Sequence, residues 1–426
     1  MTDTAAMRLS AGEAAARLGV KRETLYAYVS RGLLTSERSA DGRSSTFAHR
    51  EVEALAERSR RGGRAGSLEV VVASGLTLIE DDHLWYRGRD VAELAVSTSF
   101  EAVAEWLWSG DVGVLAAPPR WPSRDRSALL AGAADRSGMG APAWVQDGVL
   151  AAGADAIDRL RVMVAAERTS DDLRYDLAPA AVMAAGRRIL TAMVDGLPLR
   201  SAPSSGARGG RLADRLWPRL ATRRPTAGLV GALNAVLVLL ADHELAASTL
   251  AARVAASVRA DPYSVVSTGL GVIAGGLHGA ASQPVVSLLD EIGTPGRAAA
   301  VVGERLRGGG IVPGLGHQVY RRVDPRAEVL LELLRELSLP AGRWSVVEAL
   351  LALVHQRLDL VVNVDLALGA LVYSAGLDRS AAEATFAIAR TAGWLAHAME
   401  EYGEPAVRFR PRAAYTGPRP DLISAG

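Results

Sequence analysis

Apolar residues recur at helical spacing along most of this chain. Phe100, Val103 and Leu107 fall at i, i+3 and i+7, and Leu229, Val230, Leu233, Val236, Leu237 and Leu240 stripe one side of a later segment. The pattern predicts an all-α core. Alternation with a period of two is confined to residues 68–78 and to Leu84-Trp85-Tyr86 after an acidic turn, which together predict one small β-hairpin. The first sixty residues are organised differently. Ser10 stands before an alanine-rich run with Glu13 three residues on, a capping-box pattern, and Gly19 ends that helix. Thr24, Leu25, Tyr26, Tyr28 and Val29 form a second amphipathic set stopped by Gly32, and Asp41-Gly42 signals a tight turn. Helix, turn, helix and a small wing is the predicted order. The glycine-rich residues 60–67 read as a linker, and residues 201–210 as a surface loop.

Composition narrows the classes. With 426 residues the chain is expected to form two or three domains. A net charge of +1, from 48 basic and 47 acidic residues, excludes a broadly basic polyanion binder, so any nucleic-acid contact is local. Residues 1–64 hold twelve basic and eight acidic side chains, 12 − 8 = +4, and carry that local excess. The absence of cysteine excludes disulfides, thiolate zinc sites and a cysteine nucleophile. The N-terminus lacks an apolar run of signal-peptide length, and no charge-free apolar stretch approaches the ~18 residues of a membrane span. A soluble, cytoplasmic protein is expected.

Three short polar islands interrupt the apolar chain: Gly276 to Gly279, Gly314 to Arg326, and Asn363 to Asp365. His278 lies between glycines that let backbone and ligand approach closely, although a single histidine at an apolar helix end is more often a satisfied core residue. His317 follows Val312, Pro313, Gly314, Leu315 and Gly316, a loop whose main chain can hold a planar base or phosphate, and Arg321, Arg322 and Arg326 after it form an anion site by density. Asp365 sits in a run too apolar for a surface carboxylate. It reads either as a buried base or as the N-cap of a helix from Leu366. Arg390 falls on the apolar face of its helix and requires an anionic partner. His243 points inward with Ser248 as a candidate hydrogen-bonding partner, while Ala247 breaks the H-E-x-x-H zinc spacing and removes the metal reading. Two histidines, a carboxylate and several arginines suit proton abstraction beside one carbonyl and polarisation of a second on a doubly charged acid.

Two resemblances sharpen these expectations. Residues 20–25, with Arg43 ahead of Phe47 and Arg50-Glu51-Val52, resemble the winged helix-turn-helix of the MerR type. That implies DNA contacts from Lys21, Arg22 and Arg43, or a module retained for protein contact. From about Leu68 to Gly417 the chain resembles citrate synthase of the bacterial type that includes 2-methylcitrate synthases. The resemblance is carried by Tyr86 to Asp90, Asp242 to Leu245, Leu277-His278-Gly279, Gly314 to His317, Asp324-Pro325-Arg326, Asn363-Val364-Asp365, Phe386 to Arg390 and Arg410-Pro411-Arg412.

It implies a helical homodimer with a large domain at 68–279 and 380–426 and a small domain at 280–379, preceded by the helix-turn-helix at 1–62 and a linker at 63–67. It further implies Asp365 as the base at acetyl-CoA, His278 at the thioester and His317 at the ketone of oxaloacetate. His243, Arg326 and Arg390 would bind oxaloacetate, with Arg410 reaching in from a partner subunit. Ser248 would orient the first histidine, and residues 312–316 with Arg321 would meet CoA, a substrate; no cofactor is implied. The chain departs from many bacterial relatives at Ala246 and at Ser282-Gln283, where those have Asn and Asn-Glu. Propionyl-CoA is the alternative substrate. An alternative of another class is a DNA-binding regulator whose body senses a metabolite.

Overall fold

The computed structural model describes residues 8–18, 20, 25, 28–29, 34–38, 45–49, 51–52, 71–117, 120–123, 155–203, 210–275, 278–411 and 417. The chain divides into two compact units, Met1–Ala73 and Ser74–Gly426.

In the first unit, β1 (Arg8–Ser10) leads directly into α1 (Ala11–Leu18) through a reciprocal capping box. The Ser10 N–H donates to Glu13 Oε2 at 2.8 Å and the Glu13 N–H to Ser10 Oγ at 3.3 Å, so each residue satisfies a backbone donor that the helix start would orphan. Strands β2 (Ser36–Arg38) and β3 (Ser45–Ala48) complete an antiparallel sheet in the order β1-β3-β2. Ala14, Ala15, Leu18, Leu25, Leu34, Phe47 and Val52 form a small core. Lys21, Arg22, Arg43, the Asp41-Gly42 turn and most of the expected second helix lie outside the described residues.

The second unit opens with the antiparallel sheet β4 (Thr77–Glu80), β5 (His83–Tyr86) and β6 (Arg89–Asp90). Of the alternating residues 68–78, 68–70 lie outside the described residues and 71–76 precede the strand. The Leu76 carbonyl continues the pairing by accepting the Arg87 N–H at 2.7 Å, and the Gly75 N–H turns instead to Glu400 Oε1 at 2.9 Å.

Helices follow: α2 (Val91–Ser97), α3 (Phe100–Ser109), α4 (Ala156–Thr169), α5 (Pro179–Gly196), α6 (Leu212–Leu220), α7 (Ala227–Leu239), α8 (Ala247–Ser257) and α9 (Pro262–Ile273). A 3₁₀ turn at Gly279–Ser282 enters α10 (Gln283–Ile292), and then come α11 (Ala298–Arg307), α12 (Pro325–Arg335), α13 (Ala341–Arg357), α14 (Val364–Ala375) and α15 (Ala381–Gly403). The predicted all-α core is present. Among the described residues no helix is long and apolar enough to cross a membrane.

Helix α15 organises this unit. Every residue from Ala381 to Ala398 is buried, because α3, α4, α5, α7, α8 and α9 all pack around it. Its alanines and glycines let those neighbours approach. A Cβ at Gly393 would lie 2.5 Å from the Ala241 carbonyl oxygen and closer still to the Asp242 carboxylate, so only glycine fits there. The Gly393 N–H donates to Ala241 at 3.0 Å, and this seam sets the distance between α15 and the segment after α7. Gly393→Ala is therefore expected to destabilise the protein by about 2–3 kcal/mol through forced displacement at a packed seam. Urea unfolding measures this; an unchanged midpoint would show that the seam can yield.

Candidate active site

The segment after α7 carries His243. The Tyr86 hydroxyl from β5 reaches under it, accepting the Asp242 N–H at 3.0 Å and donating to the Asp242 carbonyl at 2.9 Å. The buried Asp242 carboxylate accepts from Thr77 at 2.5 Å and from His397 Nε2 at 3.2 Å, and Glu244 takes a left-handed φ of 50°. Held this way, His243 turns its Nε2 to the Tyr320 hydroxyl at 3.0 Å. Burial, followed by the nearby charges of Arg326 and Arg390, holds this histidine well below its ordinary pKa, so it is neutral.

His317 lies edge-on to His243, with ring centroids 5.6 Å apart, and against Tyr320 at 4.6 Å. Its Nδ1 accepts the backbone N–H groups of Val319 at 3.0 Å and Tyr320 at 3.1 Å. The proton of the neutral ring is therefore on Nε2. Burial, then the Arg326 charge, lowers its pKa to about 4, so the ring is neutral at physiological pH. Nε2 faces the Arg326 Nη2 at 3.3 Å. Since both atoms carry hydrogens, two donors converge here on a position that an acceptor must fill.

Arg326 is only 3% exposed and is held by Asp324, whose oxygens take its Nε at 2.9 Å and Nη2 at 2.8 Å. Asp324 also caps α12 and accepts the Val364 N–H at 2.9 Å, tying the arginine to the first turn of α14. That turn carries Asp365. The N-cap of α14 is Asn363, whose side chain accepts from Asp365 and Leu366 at 3.0 and 3.4 Å. The alternative of Asp365 as a cap is thereby corrected, and its carboxylate is left for other contacts. Oδ1 accepts from the Ser282 hydroxyl at 2.8 Å. Burial raises its pKa above the usual carboxylate range, while the Ser282 hydrogen bond and the Arg326 charge oppose that shift.

His278 precedes the 3₁₀ turn that ends in Ser282. Its Nε2 lies 2.8 Å from the Ser248 hydroxyl, so Ser248 partners His278 rather than His243. Burial, then Arg390, lowers its pKa. The Phe386 ring stands between the two groups, edge-on to His278 at 5.9 Å and beneath the Arg390 guanidinium at 4.8 Å. Arg390 itself is 1% exposed. Its Nε donates to the Leu240 carbonyl at 2.8 Å, and among the described residues its other N–H groups find no protein acceptor. A buried guanidinium of five donors and no bonded carboxylate is an anion site.

The CoA-site candidates are placed less decisively. In the 312–316 loop, Gly314 has a φ of +80°, and a Cβ there would lie 2.6 Å from Leu366 Cβ. Its carbonyl accepts from Asn363, the Gly316 N–H donates to Val361 at 2.7 Å, and the Gly316 carbonyl accepts from Asn363 Nδ2 at 2.9 Å. Part of the main chain expected to meet a ligand is thus committed to residues 361–363. Arg321 and Arg322, both exposed, give their backbone N–H groups to Asp82 at 2.6 and 3.1 Å, and both line a cavity of about 810 Å³ with Asp324, Arg335 and His355. Arg410 is exposed, and among the described residues no hydrogen bond or ion pair joins it to the histidine and aspartate cluster.

Sequence reasoning gave no role to Tyr320, Asp324, Asp82 or Phe386, although Asp324 and Phe386 stand in the motifs that carry the resemblance. Tyr320 and Asp324 stand inside the polar island from Gly314 to Arg326, and that was the signal available for them.

Residues 67–412 match the family model described as the citrate synthase C-terminal domain. The chain belongs to the citrate synthase family. It is an enzyme of that family, as its similarity to named relatives bears out. It is 36% identical over 210 residues to "Citrate synthase 2" of Bacillus subtilis, an alignment spanning 49% of this chain and 56% of that one. It is 29% identical over 363 residues to the "2-methylcitrate synthase" of Mycobacterium tuberculosis H37Rv, spanning 83% and 90%. The crystal structure of citrate synthase from Thermotoga maritima superposes with a TM-score of 0.64 at 26% identity, covering 82% of this chain and 94% of that one.

The raised pKa of Asp365 has a thermodynamic consequence. A carboxyl whose folded pKa exceeds its unfolded value contributes stability below the unfolded pKa, about 4, and that stability is lost as pH rises through the folded pKa. Asp365→Asn cannot ionise, so it is expected to melt a few degrees above the wild type at pH 7.5, with the gain vanishing near pH 4. Scanning calorimetry at the two pH values checks this, and a variant less stable at pH 7.5 would contradict it.

Proposed function

We propose that this enzyme condenses a short acyl-CoA thioester with oxaloacetate and releases free CoA. Acetyl-CoA, giving citrate, is the leading substrate, and propionyl-CoA, giving 2-methylcitrate, is the alternative. The observation that carries this reading is Arg390: a buried guanidinium with unused donors, beside a second buried arginine and the protonated Nε2 of His317, suits a small dicarboxylate bearing a ketone. Family membership and the similarity to relatives named citrate synthase and 2-methylcitrate synthase support it.

In this mechanism oxaloacetate sets one carboxylate on Arg390 and places its ketone oxygen between His317 Nε2–H and Arg326, where the two donors converge. Asp365 removes a proton from the α-carbon of the thioester. Its burial makes it a stronger base than an exposed carboxylate, and the nearby arginines keep it ionised. With the Ser248 hydroxyl donating to Nε2, the His278 proton sits on Nδ1 and stabilises the enolate oxygen. The enolate carbon then attacks the ketone carbon, whose oxygen gains negative charge against the His317 and Arg326 donors and takes the His317 Nε2 proton to become a hydroxyl. Asp365 gives up the proton it removed to solvent, from which His317 is reprotonated. Water hydrolyses the resulting thioester, yielding the tricarboxylate and CoA. Neutral histidines serve this sequence as donors without needing a preceding protonation.

The exposed Arg410 is assigned to the site of a second copy in a homodimer, and closure of the small domain, residues 280–379, over the substrates is assigned the exclusion of water. Both assignments rest on the family resemblance.

Release of CoA from acetyl-CoA or propionyl-CoA, followed with a thiol reagent, is expected to require oxaloacetate. Asp365→Asn is expected to lower kcat by about a thousandfold with the fold intact, the loss of a positioned general base. No CoA release from either thioester would overturn the proposal.

A further inference from the structure

Ser282 stands where the 3₁₀ turn Gly279–Ser282 runs into α10. A serine at such a position ordinarily caps the helix by accepting a backbone N–H. This one does not. Its backbone is already helical, at φ −81° and ψ −20°, and its side chain makes no capping bond. The hydroxyl, on a residue 1% exposed, donates instead to Asp365 Oδ1 at 2.8 Å. The other carboxylate oxygen, Oδ2, has no protein partner among the described residues. The turn begins one residue after His278, so a single short segment carries the histidine at one end and restrains the aspartate at the other.

We propose that Ser282 is a positioning residue for Asp365, holding Oδ1 so that Oδ2 alone is presented to the α-carbon of the thioester. This rests on the condensation proposed above. With Oδ1 tied, the carboxylate cannot rotate about its Cβ–Cγ bond to exchange oxygens, and the basic lone pair keeps one direction relative to His278. The same bond stabilises the ionised form and so opposes the effect of burial. The other groups acting on Asp365 are Arg326 of α12, Asp324 before it, and Arg390 of α15. None of them is removed by a change at Ser282. A residue kept only for packing would leave the titration of Asp365 unmoved when altered.

The test compares wild type with Ser282→Ala and with Ser282→Cys, which keeps the volume but donates weakly. In Ser282→Ala, kcat is expected to fall about tenfold with KM for oxaloacetate unchanged, and the acid limb of kcat/KM to move up by about one pH unit, tenfold in proton affinity. Ser282→Cys is expected to shift the limb in the same direction by less, and it decides the matter if the alanine variant does not fold. Carbon-13 carboxyl NMR, with the Asp365 signal assigned by its loss in Asp365→Asn, is expected to show a higher titration midpoint in both variants. An unmoved limb and an unmoved midpoint in a folded variant would overturn the proposal. If the wild type releases no CoA from either thioester, the condensation fails, while the NMR midpoint still decides the role of Ser282.

Discussion

The guanidinium of Arg390 is the constraint around which this molecule is arranged. Moving an unpaired cation out of water costs several kcal/mol, about the whole net stability of a modest domain. The chain places this one, 1% exposed, inside α15, with its Nε on the Leu240 carbonyl and its guanidinium over the Phe386 ring. Burial accordingly lowers the pKa of Arg390, with the charge of Asp242 acting in the opposite direction. Surrounding groups adjust to the charge. His243 and His278 are pushed toward neutrality by it, and Asp365 is helped to ionise. An oxoacid with two carboxylates would supply what the protein withholds.

Around that cation, positions are fixed by contacts that span the sequence. Gly393 brings α15 against residues 241–242, Asp324 joins Arg326 to the turn that carries Asp365, and Asp82 at the hairpin tip holds the backbone after His317. Each of these site residues is thus held by an element distant from its own. Preorganisation of this kind lowers the reorganisation that an enolate would otherwise demand.

Much of this was legible in the sequence and some was not, for physical reasons. Helical periodicity announced the all-α core, and the capping box at Ser10 and Glu13 appeared where the spacing put it. The three polar islands stood out because polar residues in an apolar chain need a reason. Partner choice was not legible. Whether Ser248 meets His243 or His278 depends on the packing of α8 against a turn thirty residues later, and no spacing encodes that. Asp365 read as a cap or as a buried base with equal ease until the Asn363 side chain was seen to cap the first turn of α14. The short strand at Thr77–Glu80 was overestimated because alternation cannot reveal that Gly75 is claimed by Glu400. Ser282 read as a departure from relatives until its hydroxyl was seen to donate to Asp365.

Thermal unfolding of Arg390→Met with and without oxaloacetate bears on the buried cation most directly. If the guanidinium awaits a substrate carboxylate, the unliganded variant is at least as stable as the wild type, because a desolvated charge has been replaced by an apolar chain of similar length. Oxaloacetate then raises the melting temperature of the wild type and leaves that of the variant unmoved. A variant that is much less stable without ligand, and still stabilised by oxaloacetate, would show that Arg390 is structural and that the anion binds elsewhere.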